Sequence, residues 1–306
     1  MGIIGLILKR EDIMEVSSIM FKFIGVLSYI VLLTGSVLIL KTSSIQASSE
    51  PQLLRKSFTS LVSNTEREYW LYLPQGYNDS NEEKWPVIMF LHGNGERGED
   101  INKVLKHGPI MEVYNGRELP FIIIAPQMPS MPIDEQRAAR ERRTPSVKTG
   151  RKSMLRTVIG VENKFGPLGP PHGWNEIEKD LIMILDNTLK NYRADSNRMY
   201  LTGLSYGGFG TWYMAIHHPD RWAAVAPICG AGDNYQVHKI GKTPVWLFQG
   251  GRDNVVPPEI SLKTADILDA AGGNVRVTVH EDLSHDCWTR VYSGEDIYNW
   301  FLSHSR

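Results

Sequence analysis

"NRMYLTGLSYGGFGTWYMAIHHPDRW" occupies residues 197–222, and its reading decides the fold. An apolar run ends at Leu204, a glycine-rich break follows, and a helix-compatible stretch begins near Tyr206. The break reads Gly203-Leu204-Ser205-Tyr206-Gly207, a G-x-S-x-G match. In a chain with 27 glycines such a match is weak alone. Its weight depends on the elements that flank it and on partners further along.

The flanks fit a strand, a sharp turn and a helix. A nucleophilic serine at the tip of such a turn needs neighbours without side chains, because strand and helix approach closely there. The helix that follows aims backbone N–H groups and its positive end at the reacting centre. The bland alternative is a glycine-rich connection that happens to contain serine.

Working outward, compact apolar runs recur at 85–92 (WPVIMFLH), 121–127 (FIIIAPQ), 222–229 (WAAVAPIC), 244–250 (PVWLFQG) and 274–280 (NVRVTVH). Continuous apolar runs suit strands buried on both faces, as in a parallel sheet covered by helices. Residues 56–62 and 67–74 read as an opening antiparallel pair joined by a short polar link. Helical patterns fall between the runs. Residues 175–192 place Ile177, Leu181, Ile184, Leu185 and Leu189 on one stripe, with Asn175 as the expected N-cap. Others cover 206–218, 257–273 and 294–304. Alternating strands and helices with right-handed crossovers predict a three-layer α/β/α sandwich around a mostly parallel sheet.

Two segments break this rhythm. Residues 23–40 carry no charge, lie between Lys22 and Lys41, and are followed by small polar residues around Ala47. That pattern reads as a signal peptide or, uncleaved, an N-terminal anchor over 1–50. The domain over 51–306 is then secreted or periplasmic, or held outside the cytoplasm by that anchor. The second segment, 128–173, is too long for an ordinary connection and leaves the end of the fourth strand. From 132 to 164 it holds nine Lys/Arg against four Asp/Glu. A solvated insertion and a lid over the site are both open readings. A formal net charge of −1 gives no basic field for nucleic acid.

A serine hydroxyl needs a base, and the base needs an orienting acid. Asp253 falls in a loop just past the 244–250 run, and His285 in a loop past 274–280. Serine, acid and histidine therefore follow in that order, each after a later strand. Asp233 and His280 are the nearest rivals for the two partner roles. Backbone donors for an oxyanion are expected from Tyr206, just after the nucleophile, and from Asn94 in "FLHGNGERG", with Gly95 as its alternate. The same loop matches G-x-G-x-x-G over 93–98, a dinucleotide fingerprint. However, the next strand ends without the acidic residue that would hold the ribose. No metal-ligand spacing occurs, so neither cofactor nor metal is expected. Trp174 and Trp288 flank the insertion and His285; stacking on a substrate ring and packing in the core or rim are both open readings. Cys229 and Cys287 both follow strands; a bridge and two free buried thiols are both open.

Taken together, "LHGNGERGED", residues 198–233, "GGRDNVVP" and "HDCW" resemble α/β-hydrolases of the carboxylesterase/phospholipase type termed predicted peptidases. They are also similar to feruloyl and acetyl-xylan esterases and polyhydroxybutyrate depolymerases. The resemblance spans about residues 56–306. It implies the α/β-hydrolase fold, with Ser205 as nucleophile, Asp253 as acid and His285 as base, which agrees with the reading from the residues. The expected activity is ester hydrolysis through an acyl-enzyme, on an acylated polysaccharide or other short-chain esters. A serine peptidase of the same fold is the alternative, ahead of a non-catalytic binding module or a nicotinamide-dependent oxidoreductase. Oligomeric state is not readable.

Overall fold

The computed structural model describes residues 49–79, 82–132, 165–166, 169–170 and 172–306. The apolar run at 23–40 and most of the 128–173 insertion lie outside the described residues, so the expectations for an exported leader and a lid do as well.

Eight strands form one sheet: β1 (Gln52–Thr59), β2 (Glu66–Leu73), β3 (Trp85–Leu91), β4 (Ile122–Pro126), β5 (Ala194–Leu204), β6 (Ala224–Ile228), β7 (Val245–Gly250) and β8 (Val275–His280). Their order is β1-β2-β4-β3-β5-β6-β7-β8. β1 pairs antiparallel with β2, and β2 with β4; every other pairing is parallel. The mostly parallel sheet follows from strands whose two faces are both apolar. In β3, Val87, Met89 and Leu91 enter one core while Ile88 and Phe90 enter the other. In β4, Ile122 and Ile124 divide from Ile123 and Ala125 in the same way.

Among the described residues six α-helices cover the sheet: α1 (Gly108–Tyr114), α2 (Glu178–Asn191), α3 (Tyr206–His217), α4 (Pro258–Ala270), α5 (Trp288–Ser293) and α6 (Asp296–Leu302). Residues of α2, α3 and α4 pack into the first core, and those of α1, α5 and α6 into the second. This is the expected three-layer sandwich. The predicted stripe is buried at Ile177, just before α2, and at Leu181, Ile184 and Leu185 on it, with Leu189 partly buried beside them.

Three details depart from expectation. Asn175 is not an N-cap. It lies inside a 3-10 turn over Trp174–Ile177, and Ile177 holds the cap position of α2 without a side-chain bond. The turn lets Trp174 and Ile177 reach the core before the helix begins. β8 is an edge strand rather than a doubly buried one: Val277 is exposed, and the Arg276 guanidinium lies 3.6 Å over the Trp246 ring. Helices α1 and α5, short and without a clear period, were not expected. Among the described residues no helix is long and apolar enough to cross a membrane.

Candidate active site

Parallel strands deliver their C-terminal ends to one rim, and the expected residues gather there. Ser205 sits between β5 and α3 with φ 53° and ψ −114°, a conformation that L side chains rarely adopt. The turn survives because its surroundings hold it. Ser205 N–H donates to Ile228 O of β6 at 2.8 Å, and Ser205 O accepts from Gly208 N–H at 2.8 Å. A side chain at Gly207 would overlap the Leu91 and His92 carbonyls, and one at Gly203 would overlap Gly207 itself. Those contacts account for the glycines on both sides of the serine.

β7 and β8 are parallel neighbours, so the loops that leave them meet. Gly251 N–H donates to His280 O and Arg252 N–H to Leu283 O, at 2.8 and 2.9 Å. This stitching brings Asp253 to His285. Asp253 Oδ2 accepts from His285 Nδ1 at 2.6 Å, and its side chain is fully buried. Its other donors are Gln249 Nε2 at 3.1 Å and the N–H groups of Val255 and Val256, each at 2.9 Å. Burial pushes the Asp253 carboxyl up, but His285 and these backbone donors outweigh it and hold the pKa below the usual carboxylate value. Burial conversely pulls His285 down. The hydrogen bond and charge of Asp253 prevail, assisted by Cys229, and lift the imidazole to about 9.

With Nδ1–H given to Asp253, the neutral ring presents Nε2 as an acceptor. Ser205 Oγ lies 2.8 Å from it. The three residues thus form one unbroken hydrogen-bonded chain from a buried carboxylate to a hydroxyl on a strained turn, an arrangement that can raise the nucleophilicity of Ser205. The rivals are placed elsewhere. Asp233 folds back on its own loop, bonding Tyr235 N–H and Gln236 Nε2. His280 stacks on Phe248 from the edge strand.

The Asn94–Glu96 3-10 turn follows Gly93, at the exit of β3. The first N–H groups of a helical turn have no acceptor within it, which makes Asn94 and Gly95 suitable donors. Behind that turn stands His92, fully buried, whose Nδ1–H donates to Gly93 O at 2.6 Å while Nε2 accepts from Met128 N–H at 2.9 Å. Burial pushes His92 down to about 4, so it is neutral there.

Strand order, elbow and three-layer packing are those of the α/β-hydrolase fold. The family model described as "Putative esterase" matches residues 60–246. The chain belongs to that Esterase family. The match takes in the β3 exit and Ser205 and ends before Asp253 and His285. A crystal structure of a thermostable esterase is 29% identical, with a TM-score of 0.63, covering 83% of this chain and 63% of its own. A ferulic acid esterase from Anaeromyces mucronatus shares the fold at 19% identity and a TM-score of 0.54, over 83% of this chain and 90% of its own. Poly(3-hydroxyalkanoate) depolymerase C of Paucimonas lemoignei is 47% identical over 47 residues, 15% of this chain and 11% of that protein. The chain therefore spans a small part of that curated relative and less than two thirds of the thermostable esterase.

Within this esterase-family site the two tryptophans part company. Trp174 is 1% exposed, edge-on to His92 and packed against Gly210. Of its two open readings it takes core packing, because the 3-10 turn carries it inward. Trp288 is half-buried at the rim, its ring 5.1 Å from His285 and 5.7 Å from His107. Cys229 and Cys287 are free, buried thiols with Sγ atoms 3.0 Å apart, and the Cys229 thiol donates to His285 O at 3.3 Å. Sequence reasoning passed over His92, Gln249 and Cys229 as supports. Gln249 did leave a signal, being the one polar residue in an otherwise apolar strand run.

Proposed function

We propose that the protein is a serine carboxylic-ester hydrolase that works through an acyl-enzyme on Ser205. The observation that carries this reading is the continuous Asp253–His285–Ser205 chain, 2.6 and 2.8 Å long in its two links, ending on a residue with φ 53°. Membership of the Esterase family supports the ester as substrate class.

In the first step Ser205 Oγ attacks the ester carbonyl carbon and its proton passes to His285 Nε2. Asp253 keeps the ring in the required tautomer and stabilises the imidazolium. The carbonyl electrons move to oxygen, and the N–H groups of Tyr206 and Asn94 meet the resulting oxyanion. As the tetrahedral adduct collapses, the C–O bond breaks and the leaving alcohol takes the proton from Nε2. Water then attacks the acyl-enzyme with the same histidine as base, and the carboxylic acid leaves.

Half-buried Trp288 beside His285 supports a substrate with a ring or sugar next to the scissile ester. The charge-free stretch 23–40 and the small residues around Ala47 support export, hence an extracellular acylated polymer or its short-chain fragments. The test is a panel of p-nitrophenyl esters, acetylated xylan, methyl ferulate and peptide anilides, run with the wild type and Ser205→Ala. Ester hydrolysis that vanishes in the variant is expected. Hydrolysis of peptide anilides with little turnover of esters would overturn the substrate class.

A further inference from the structure

The turn that supplies Asn94 also carries a buried cation. Arg97 is 8% exposed, and among the described residues both of its hydrogen-bond acceptors are neutral. Its Nε donates to Pro129 O at 2.8 Å, in the segment leaving β4, and its Nη1 donates to Tyr206 Oη at 2.9 Å. The guanidinium carbon also lies 5.2 Å from the centre of the Tyr206 ring. Removing a guanidinium from water is costly, so this placement calls for a reason beyond solubility.

The surrounding bonds supply one. The loop after β3 is clamped to the segment after β4 at several points. Met128 N–H reaches His92 Nε2, Gly98 N–H reaches Met128 O at 3.0 Å, and Gln127 Nε2 reaches Glu96 O at 2.7 Å. Those bonds join two loops and stop there. Arg97 continues from the clamped loops to the first residue of α3, the residue whose N–H stands beside Ser205. The planar guanidinium suits this task because Nε and Nη1 point to two acceptors in fixed directions, whereas a lysine ammonium acts as a single point charge on a flexible stem.

We propose that Arg97 is a positioning residue of the oxyanion site: by holding Tyr206 against the Asn94 turn, it fixes the separation of the two backbone donors. The inference rests on the serine-hydrolase reading above. Arg97 touches no reacting atom. It acts only where the donors must match a tetrahedral oxyanion, so its loss falls on kcat rather than KM.

Two conservative variants of the full chain test this. Arg97→Lys keeps the charge and loses the two-way fork; Tyr206→Phe keeps the ring and loses the acceptor. With p-nitrophenyl acetate each is expected to lower kcat about tenfold, less than the ~10²–10³ of losing a donor outright, with KM changed less than about twofold. Phenylboronic acid, whose adduct on Ser205 is tetrahedral, weakens by the same about tenfold factor, and the double variant is no worse than the weaker single one. If both variants keep kcat and boronate affinity within about twofold of wild type, the proposal is overturned, even where melting temperature falls. A rise in KM with kcat unchanged also overturns it, since Arg97 would then support ground-state binding of the ester rather than the oxyanion. Full activity in Ser205→Ala removes the hydrolase reading itself; an inactive Ser205→Ala beside unaltered Arg97 and Tyr206 variants removes this inference alone.

Discussion

The turns that leave β5 and β6 are neighbours in the sheet, and both place a non-glycine residue in the left-handed region: Ser205 at φ 53° and Cys229 at φ 50°. Both are pinned to the next strand, Ser205 N–H to Ile228 O at 2.8 Å and Cys229 N–H to Phe248 O at 3.0 Å. Their consequences differ. After Ser205 the chain enters a helix at once, so the hydroxyl stands at a helix N-terminus, partly open, and meets His285 at Nε2. After Cys229 the chain continues as loop, and the thiol is fully buried against Cys287 and the His285 carbonyl. A strained turn by itself therefore does not make a nucleophile. In the serine-hydrolase reading proposed above, the helix beneath it and the ring nitrogen facing it supply what is missing, and the same turn one strand over becomes a support for the histidine backbone.

The largest effects should break the chemistry at Ser205 while leaving its turn intact. Ser205→Ala is expected to cut kcat by about 10⁴-fold or more, measured on p-nitrophenyl acetate. Retention of the wild-type rate would falsify the assignment. Asp253→Asn comes next, with a loss of about 10⁴-fold as the imidazole loses its orienting acceptor. Its pH behaviour is also signed. The wild-type imidazole is raised, so it is protonated and unable to accept a proton below its pKa; kcat/KM should climb with pH along a limb lying above the ordinary 6.5. Removing the Asp253 charge takes away the main raising influence, so the limb should move to lower pH in the variant. An unmoved limb would show that another group controls it.

How much of this was legible beforehand varies between the two sides of the site. The Ser205, Asp253 and His285 side could be read because each residue is announced locally, by a buried apolar run that stops and a loop that starts. The sheet could be read for the same reason, since β3 and β4 are apolar on both faces. The side built by the β3 and β4 exits was only partly readable. Asn94 was marked by its glycines, but the work of His92, Gln127 and Arg97 depends on partners that lie far along the chain, at Met128, Glu96 and Tyr206. No periodicity encodes such pairs. The sequence does not decide between stacking and packing for Trp174, because position along it says nothing about which way a 3-10 turn faces.

Smaller effects sharpen the comparison through packing. Gly207→Ala forces a methyl group into the backbone carbonyls at the end of β3, where backbone rather than a flexible side chain must yield. Overpacking typically costs ~1–3 kcal/mol, and a rigid backbone obstacle belongs at or above the top of that range. The urea midpoint should fall accordingly, with activity lost in proportion to the displaced turn. A midpoint equal to wild type would mean that β5 and α3 do not approach so closely.

The smallest effect is expected at the second turn. Cys229→Ala keeps the left-handed backbone and removes only a weak donor to His285 O and a contact with Cys287, so stability should fall by about 1 kcal/mol. Because the thiol bonds the His285 backbone carbonyl and its influence on the ring is secondary to that of Asp253, kcat should stay within about threefold of wild type, and a fluorophosphonate probe should label Ser205 as before. A drop of more than about tenfold in kcat, with the fold intact by near-ultraviolet circular dichroism, would place the thiol in the chemistry. The distinction between the two turns would then fail, since the buried sulfur and the partly open hydroxyl would both take part in the chemistry at the same imidazole.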